Sequence, residues 1–198
     1  MGAWLVLGLG NPGAEYEHTR HNVGADTVRA LAHRAGQSLR SSRRDRSLVA
    51  EVRLAGSPVV LAFPQTYMND SGEAARLLAR HHGIDALGRV IVVHDELDLE
   101  PGIVRVKAGG GLAGHNGLRS LKQHLHGDAF LRVRIGVGKP RSAAQGADHV
   151  LKRLSSAART VLDVSVQVAA DAVEQIVAEG VEAAMTAVNR REPPAPPR

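Results

Sequence analysis

The sequence predicts an α/β fold, a three-layer α/β/α sandwich around a mixed, largely parallel twisted sheet. Short apolar runs rich in β-branched residues, such as residues 90–93, alternate with segments of helical spacing. Runs that are apolar throughout indicate strands with both faces covered, and helices between the strands supply that cover. The chain has 198 residues and no internal repeat, which favours a single domain over residues 1–191. Residues 192–198 are predicted to be a disordered proline-rich tail.

Each predicted strand is bounded by glycine, proline or a short polar turn. A turn at residues 55–58 separates two strands that follow each other in the chain, and the arginines of the last strand fall on one of its faces. The predicted strands are residues 4–7, 47–54, 59–64, 90–93, 103–111 and 130–138.

Helices are predicted where apolar residues recur every three or four positions. The first covers residues 22–35, and the second has its cap among residues 69–71 and ends at Gly83. A short helix follows at residues 115–127. Residues 160–189 contain five acidic and no basic side chains, and their apolar spacing predicts one long amphipathic helix.

The charge of the chain is uneven. The net charge is +5, but residues 160–189 are acidic and residues 1–159 carry +8. A basic body of this kind favours a polyanionic partner, nucleic acid before membrane, although solvated arginines alone would give the same count. The absence of cysteine excludes disulfides and thiolate chemistry. With no apolar run near the ~20 residues of a membrane span and no signal-peptide layout, we expect a cytoplasmic protein.

The first strand is followed by a glycine pattern, G-x-G-x-x-G, at Gly8, Gly10 and Gly13. The same spacing marks dinucleotide-binding loops, but those loops open a helix and have an acidic residue about 20 positions later. Here the segment after Gly13 is polar without helical spacing, and no Asp or Glu occurs between Asp26 and Asp45. We therefore expect no nicotinamide cofactor, and no other cofactor is indicated.

Ligands of such sheets bind in the loops beyond the carboxyl ends of the strands. Four loops rich in glycine, asparagine and histidine occupy such places: residues 10–21, 64–69, 94–96 and 109–117. Both tyrosines of the chain, Tyr16 and Tyr67, lie in these loops, where an aromatic ring can stack on a base or simply cover a loop edge.

The loops offer a histidine as the reactive group. The sequence contains no G-x-S-x-G, H-E-x-x-H, EF-hand or P-loop pattern. Two histidine pairs occur, His18 with His21 and His81 with His82, but no metal is expected because neither pair has an acidic third ligand close in sequence. A histidine that activates water suits an ester. His21 is the best base and Asp95, directly after a buried strand, its best partner. From spacing alone, four competitors remain open: His94, His115, Glu96 and Asp98.

Taken together, the loops resemble those of bacterial-type peptidyl-tRNA hydrolases. The segments GLGNPGAEYEHTRHNVG, TYMNDSG, HDELDLEPG and GHNGLRSL occur in that family's order, and AVNR near residue 189 also matches. The resemblance implies hydrolysis of the ester that joins a peptide, or an N-blocked amino acid, to the 3′-terminal ribose of tRNA. It implies a partner gripped at the acceptor stem and 3′ end, a monomer, and neither a membrane nor an obligate protein partner.

The resemblance also implies roles for particular residues. His21 becomes the general base, Asp95 the residue that raises its basicity, and Asn11 a contact to the peptide that helps reject unblocked aminoacyl-tRNA. This sequence departs from the family pattern at Leu112 and Ala113, where the family's glycine loop usually has a smaller or more polar pair. The implied substrate contacts are Tyr16, Tyr67, Met68, Asn69 and Asn116, and the implied phosphate contacts are Arg105, Lys107, Arg132 and Arg134.

Overall fold

The computed structural model describes residues 2–140 and 142–191, so the predicted tail at residues 192–198 lies outside the described residues. The strands are β1 (Trp4–Gly8), β2 (Arg40–Ser42), β3 (Ser47–Leu54), β4 (Ser57–Pro64), β5 (Val90–Glu96), β6 (Val104–Ala108) and β7 (Leu131–Gly136). The α-helices are α1 (Val23–Arg34), α2 (Ser71–His82), α3 (Asn116–Leu125), α4 (Gly146–Leu151), α5 (Ser156–Glu179) and α6 (Val181–Val188).

Within the described residues, the seven strands form one sheet in the order β2-β3-β4-β1-β5-β7-β6. β1 pairs in parallel with both β4 and β5, and β5 pairs in parallel with β7. The pairs β2–β3, β3–β4 and β6–β7 are antiparallel, so only β3 and β6 run against the other five strands. The predicted mixed, largely parallel sheet is confirmed.

The central strand β1 divides its side chains between two apolar cores. Val6 packs with α1, α5 and α6 on one face of the sheet. Leu5 and Leu7 pack with α2 and α3 on the other face. Because strand residues alternate between faces, a fully apolar strand requires helices on both sides. The three-layer sandwich is therefore confirmed.

The first glycine of the G-x-G-x-x-G pattern serves close packing of α1 against the sheet. A Cβ on Gly8 would lie 2.2 Å from the carbonyl oxygen of Gly24, and one on Gly24 would lie 2.1 Å from that of Val93. The amide of Ala25 donates to the carbonyl of Leu9. The absence of these two side chains thus lets the start of α1 lie directly on β1 and β5.

The acidic segment differs from its prediction. The predicted single helix over residues 160–189 begins earlier, at Ser156, and is broken at Gly180, whose φ is +91°. α5 packs on α1, where Arg34 pairs with Asp171 and Glu174. Two further elements, β2 and α4, were not predicted. No α-helix in the described part of the chain has both the length and the apolar composition that a membrane span requires.

The end of the fold closes an edge of the sheet. The Val106 amide in the edge strand β6 donates to Oδ1 of Asn189 at 2.8 Å, and Nδ2 of Asn189 donates back to the Val106 carbonyl at 2.9 Å. A side-chain amide thereby takes the place of a neighbouring strand at this point of the edge. The sequence segment AVNR, which contains Asn189, thus completes the sheet.

Candidate active site

The loops after β1, β4 and β5 meet at one edge of the sheet because these strands are parallel. The fourth predicted loop follows β6, which is antiparallel to β7, so this loop starts at the opposite edge of the sheet. It reaches the same edge as the other three at the start of α3. Together they border a cavity of about 480 Å³. The predicted site residues that line it are Asn11, His21, Tyr67, Met68, Asn69, Asp95 and Asn116.

A buried carboxylate lies between two imidazoles in this cavity. Nδ1 of His21 is 2.9 Å from Oδ2 of Asp95, and Nε2 of His115 is 2.8 Å from Oδ1. The Asp95 side chain is only 3% exposed. Because a carboxylate only accepts hydrogen bonds, both ring nitrogens that face Asp95 carry a proton.

The backbone fixes the tautomer of His115. Its Nδ1 accepts from the amides of Gly117 and Leu118 at the start of α3, so its single proton is on Nε2. In His21 the proton on Nδ1 faces Asp95, which leaves Nε2 as the nitrogen with a free lone pair. That lone pair is what a general base requires.

Three pKa values follow from this arrangement. Burial alone would lower the pKa of His21, but the charge and the hydrogen bond of Asp95 outweigh it and raise the pKa above 6.5. Burial alone would raise the pKa of Asp95, but His21 and His115 hold it well below its usual range. Burial, the neighbouring His115 and Arg132 lower the pKa of His94 to about 3, against the opposing effect of Asp95.

Of the four competitors that the sequence left open, His115 alone contacts the Asp95 carboxylate. His94 is buried and donates from Nδ1 to the Asp95 carbonyl at 2.7 Å. Glu96 pairs with Arg134 at 2.9 Å, and the exposed Asp98 pairs with Lys139. His115, the N-cap of α3, is thus a site residue that the sequence alone does not single out, since its role depends on a helix start that spacing does not reveal.

Asn11 is held from two sides. Its amide donates to Oδ1 of Asn22, whose Nδ2 donates to the Asn11 carbonyl, both at 2.9 Å. Its side-chain Oδ1 accepts from the amide of Met68 at 2.7 Å. An accepting atom must be the oxygen, so Nδ2 is the polar atom that Asn11 offers to a ligand in the cavity.

The remaining predicted contacts divide into rim and core. Tyr67, Asn69 and Asn116 are exposed at the rim, with Tyr67 60% exposed. Met68 borders the cavity but is mainly part of the core under α2 and α3. Tyr16 lies outside the cavity: it is half-buried in the turn before His21, and its carbonyl accepts from Thr19. The structure therefore does not bring Tyr16 together with the others.

The short helix α4 forms a wall of the cavity that the sequence did not reveal. Its apolar residues Val150 and Leu151 line the cavity. Nη1 of Arg20 donates to the His149 carbonyl and ties α4 to the turn that carries His21. A helix of six residues is too short to produce a periodic signal. The sequence does not reveal whether the acidic helix closes over the site. In the structure α5 lies on α1, and none of its residues lines the cavity.

The four predicted phosphate contacts share one face of β6 and β7, where Lys107 lies opposite Arg132 and Arg105 opposite Arg134. The expectation for Arg132 is wrong in this structure. Its side chain is 1% exposed, and its Nη1 donates to the Gly111 carbonyl at 2.8 Å. The glycine loop covers it, so a phosphate cannot touch its guanidinium. Arg105, Lys107 and Arg134 are all partly exposed.

The glycine loop departs from the family pattern at two positions, and one of them anchors it. Leu112 packs against the core under α2 and α3. Ala113 is exposed, lines the cavity and adopts a φ of +49°. A left-handed conformation at alanine costs about 1–2 kcal/mol, which the surrounding loop must offset. Leu112 therefore holds the loop to the core, and Ala113 does not contribute to that anchoring.

The atoms of His21, Asp95 and His115 also lie close enough together to hold a metal ion. This was not expected, because the three residues are far apart in sequence. Coordination would require His115 to lose its Nε2 proton, since its Nδ1 already accepts two backbone hydrogen bonds. The absence of a metal from the reaction remains a prediction.

A histidine held by a buried carboxylate, beside an amide donor at the carboxyl edge of a parallel sheet, has the geometry that water activation by a general base requires. Residues 5–195 match the family described as peptidyl-tRNA hydrolase. The chain belongs to this family.

Named relatives agree over nearly the whole chain. The peptidyl-tRNA hydrolase of Mycolicibacterium vanbaalenii is 47% identical over 185 residues, 93% of this chain and 96% of the relative. That of Rhodococcus erythropolis is 49% identical over 180 residues, 91% and 94% of the two chains. The crystal structure of peptidyl-tRNA hydrolase from Acinetobacter baumannii matches with a TM-score of 0.91 at 38% identity, covering 97% of both chains.

The tautomers can be tested directly. We expect long-range ¹⁵N–¹H spectra to show the proton on Nδ1 in His21 and on Nε2 in His115. On acidification His94 should stay neutral, as its pKa of about 3 requires, while His21, whose pKa is raised by Asp95, should gain its proton at a higher pH than an ordinary histidine. A proton on Nε2 of neutral His21 would contradict its assignment as a base. The exposed His33 serves as the reference ring.

Proposed function

We propose that this chain hydrolyses the ester bond between a peptide, or an N-blocked amino acid, and the 3′-terminal ribose of tRNA, which recycles tRNA from prematurely released peptidyl-tRNA. The observation that carries the proposal is the free Nε2 of His21, which is left unprotonated because the single ring proton is on Nδ1 and is donated in a hydrogen bond to Asp95. Family membership supplies the substrate class.

In the proposed reaction, Nε2 of His21 takes a proton from water while the water oxygen attacks the ester carbonyl carbon. The bond between that carbon and the ribose oxygen then breaks, and His21 returns the proton to the leaving oxygen. Asp95 keeps the ring in the required tautomer and stabilises the imidazolium between the two steps. Neither a cofactor nor a metal takes part in this proposal.

Asn11 gives the proposed preference for blocked substrates a physical basis. Its Oδ1 is occupied by the Met68 amide, so it faces the substrate with the donor Nδ2. A peptide or N-acyl group offers a carbonyl oxygen that accepts this hydrogen bond. The free α-ammonium of an unblocked aminoacyl ester is itself a donor and would be repelled.

The other contacts follow from their positions. We propose that Tyr67 stacks on a base of the 3′ end, that Asn69 and Asn116 hold the terminal ribose and the peptidyl link, and that Met68 borders the peptide. We keep Tyr16 for a contact with the tRNA outside the cavity, since it does not line it.

For the acceptor stem, we propose phosphate contacts from Arg105, Lys107 and Arg134. These three share a sheet face, and Arg105 and Arg134 keep part of their side chains exposed.

We also propose that residues 1–191 form one domain, that the protein is a cytoplasmic monomer, and that it needs no obligate protein partner. The pairing of Asn189 with β6 supports the single domain, because it joins the end of that range to the sheet.

The activity is tested by following release of an N-acetylated amino acid from tRNA, with the unblocked ester in parallel and EDTA in excess. We expect rapid hydrolysis of the blocked ester only. His21→Ala should lower the rate by about 10²–10⁴ or more with tRNA affinity nearly unchanged, and the exposed His33→Ala serves as the control. Half of the activity left in His21→Ala would remove His21 from its role, and loss of activity in EDTA would return a metal to the reaction.

Asp95→Asn should change both the pH profile and the plateau of kcat/KM. Asp95 raises the pKa of His21, and only the neutral ring accepts a proton, so its loss moves the acid limb to lower pH. The plateau should fall ~10²-fold or more. Asparagine has one accepting oxygen, whereas the N–H groups of His21 and His115 each need an acceptor. His115 is held by the backbone, so His21 must invert its tautomer. A lower plateau with an unmoved acid limb would instead indicate structural damage.

Lys107→Ala should weaken tRNA binding in a salt-dependent way. Each neutralised phosphate contributes a log–log slope of about −0.7 to −0.9, so the slope of affinity against salt should drop by roughly one. Arg76→Ala on the exposed face of α2 is the matched control and should leave the slope unchanged. Equal slopes in wild type and Lys107→Ala would remove Lys107 from the interface.

A further inference from the structure

A second group of histidines and a carboxylate lies away from the catalytic cavity, at the β2 edge of the sheet. Asp45 is in the turn between β2 and β3, and His81 and His82 are the last two residues of α2. One ligand atom from each of the three side chains lies within 4.8 Å of the others. None of them lines the catalytic cavity.

The contacts of the group are those of a preformed anionic site. Nδ1 of His81 is 2.8 Å and 3.1 Å from the two carboxylate oxygens of Asp45. Ser42 donates from Oγ to Oδ2 of Asp45 at 2.6 Å and so orients the carboxylate, which is buried. On the other side, Nδ1 of His82 is 3.9 Å from Oε1 of Glu51, a residue of β3.

A hydrogen-bonded brace between Asp45 and His81 does not explain His82. The His82 side chain is nine-tenths buried, and among the described residues its Nε2 has no hydrogen-bond partner. A buried ring nitrogen without a partner is destabilising, because it loses its hydrogen bonds to water without replacing them. A hydrogen bond between Asp45 and His81 that only held the turn to α2 would not require a second histidine, whose ring lies 4.1 Å from the first.

The charges beside the group also bear on a bound cation. The carboxylates of Asp45 and Glu51 lie next to the two rings, and Arg44 is close enough to His82 for its charge to act on the ring. Arg44 opposes a bound cation, and the charges of Asp45 and Glu51 offset it.

We propose that Asp45, His81 and His82 bind a divalent transition-metal ion such as Zn²⁺, with water completing its coordination. Two neutral imidazoles with a carboxylate form a donor set that suits zinc. On binding, the His81 ring gives up its Nδ1 proton and takes a proton from solvent on Nε2, so the ring stays neutral while the metal occupies the place beside Asp45. The ion then joins the β2–β3 turn to the end of α2. Its role is structural and separate from ester hydrolysis.

The test uses untagged protein freed of metal with EDTA, in a His21→Ala background that disables the catalytic cluster. Zn²⁺ is titrated in competition with a chromophoric chelator, and Co²⁺ supplies visible absorption bands that report its ligands. We expect one ion per chain. The melting temperature should rise by about 5 °C at about a hundredfold excess of Zn²⁺ over Kd.

Adding His82→Gln or Asp45→Asn to this background should abolish both the binding and the melting shift, whereas the exposed His33→Gln should change neither. Circular dichroism without metal verifies that each variant is folded, and His81→Gln replaces any variant that is not. Absence of binding in the background protein, or binding that survives in any folded variant of this set, overturns the proposal. Hydrolysis by protein with native His21 should be unaffected by Asp45→Asn, so this test is independent of the proposed activity.

Discussion

The carboxylate of Asp95 determines how the whole catalytic edge is assembled. A buried carboxylate is stable only when donors satisfy it, because its desolvation costs several kcal/mol. The donors here are His21 on the turn before α1 and His115 at the start of α3. One charge therefore fixes two segments that are far apart in sequence. The α3 backbone fixes the His115 proton on Nε2 through Gly117 and Leu118, and this ensures that both imidazoles donate to Asp95.

This arrangement depends on the close packing of α1 against the sheet. Without side chains at Gly8 and Gly24, the start of α1 rests on β1 and β5, which brings the preceding turn close to the end of β5. The paired amides of Asn11 and Asn22 then hold the glycine loop to the same turn. The pattern that resembles a dinucleotide fingerprint is therefore a device for placing an imidazole and an amide beside a carboxylate.

The sequence predicts what depends on local pattern and fails where a role depends on contacts between distant segments. The run at residues 90–93 is apolar throughout, so its place in a covered sheet and the carboxylate after it could be predicted. β2 and α4 were too short for a periodic signal, and the break in the acidic segment rests on Gly180 alone. The clustering of His115 with Asp95 was inaccessible because nothing in the spacing joins α3 to β5.

The buried Arg132 shows how a residue can fail as a contact and still shape the electrostatic field. Its strand places it on the same face as Lys107, its direct cross-strand neighbour. Like charges in that position repel, and the pKa of Arg132 is lowered first by burial and then by Arg134, with Glu96 opposing. The Gly111 carbonyl stabilises the guanidinium without neutralising it. A charge shielded from water is screened less by salt than an exposed one, so Arg132 adds to the positive potential beneath Lys107 without touching a ligand. The glycines give this loop the backbone conformation that it needs: φ is +60° at Gly109 and +89° at Gly110, and the chain that follows brings the Gly111 carbonyl to the guanidinium.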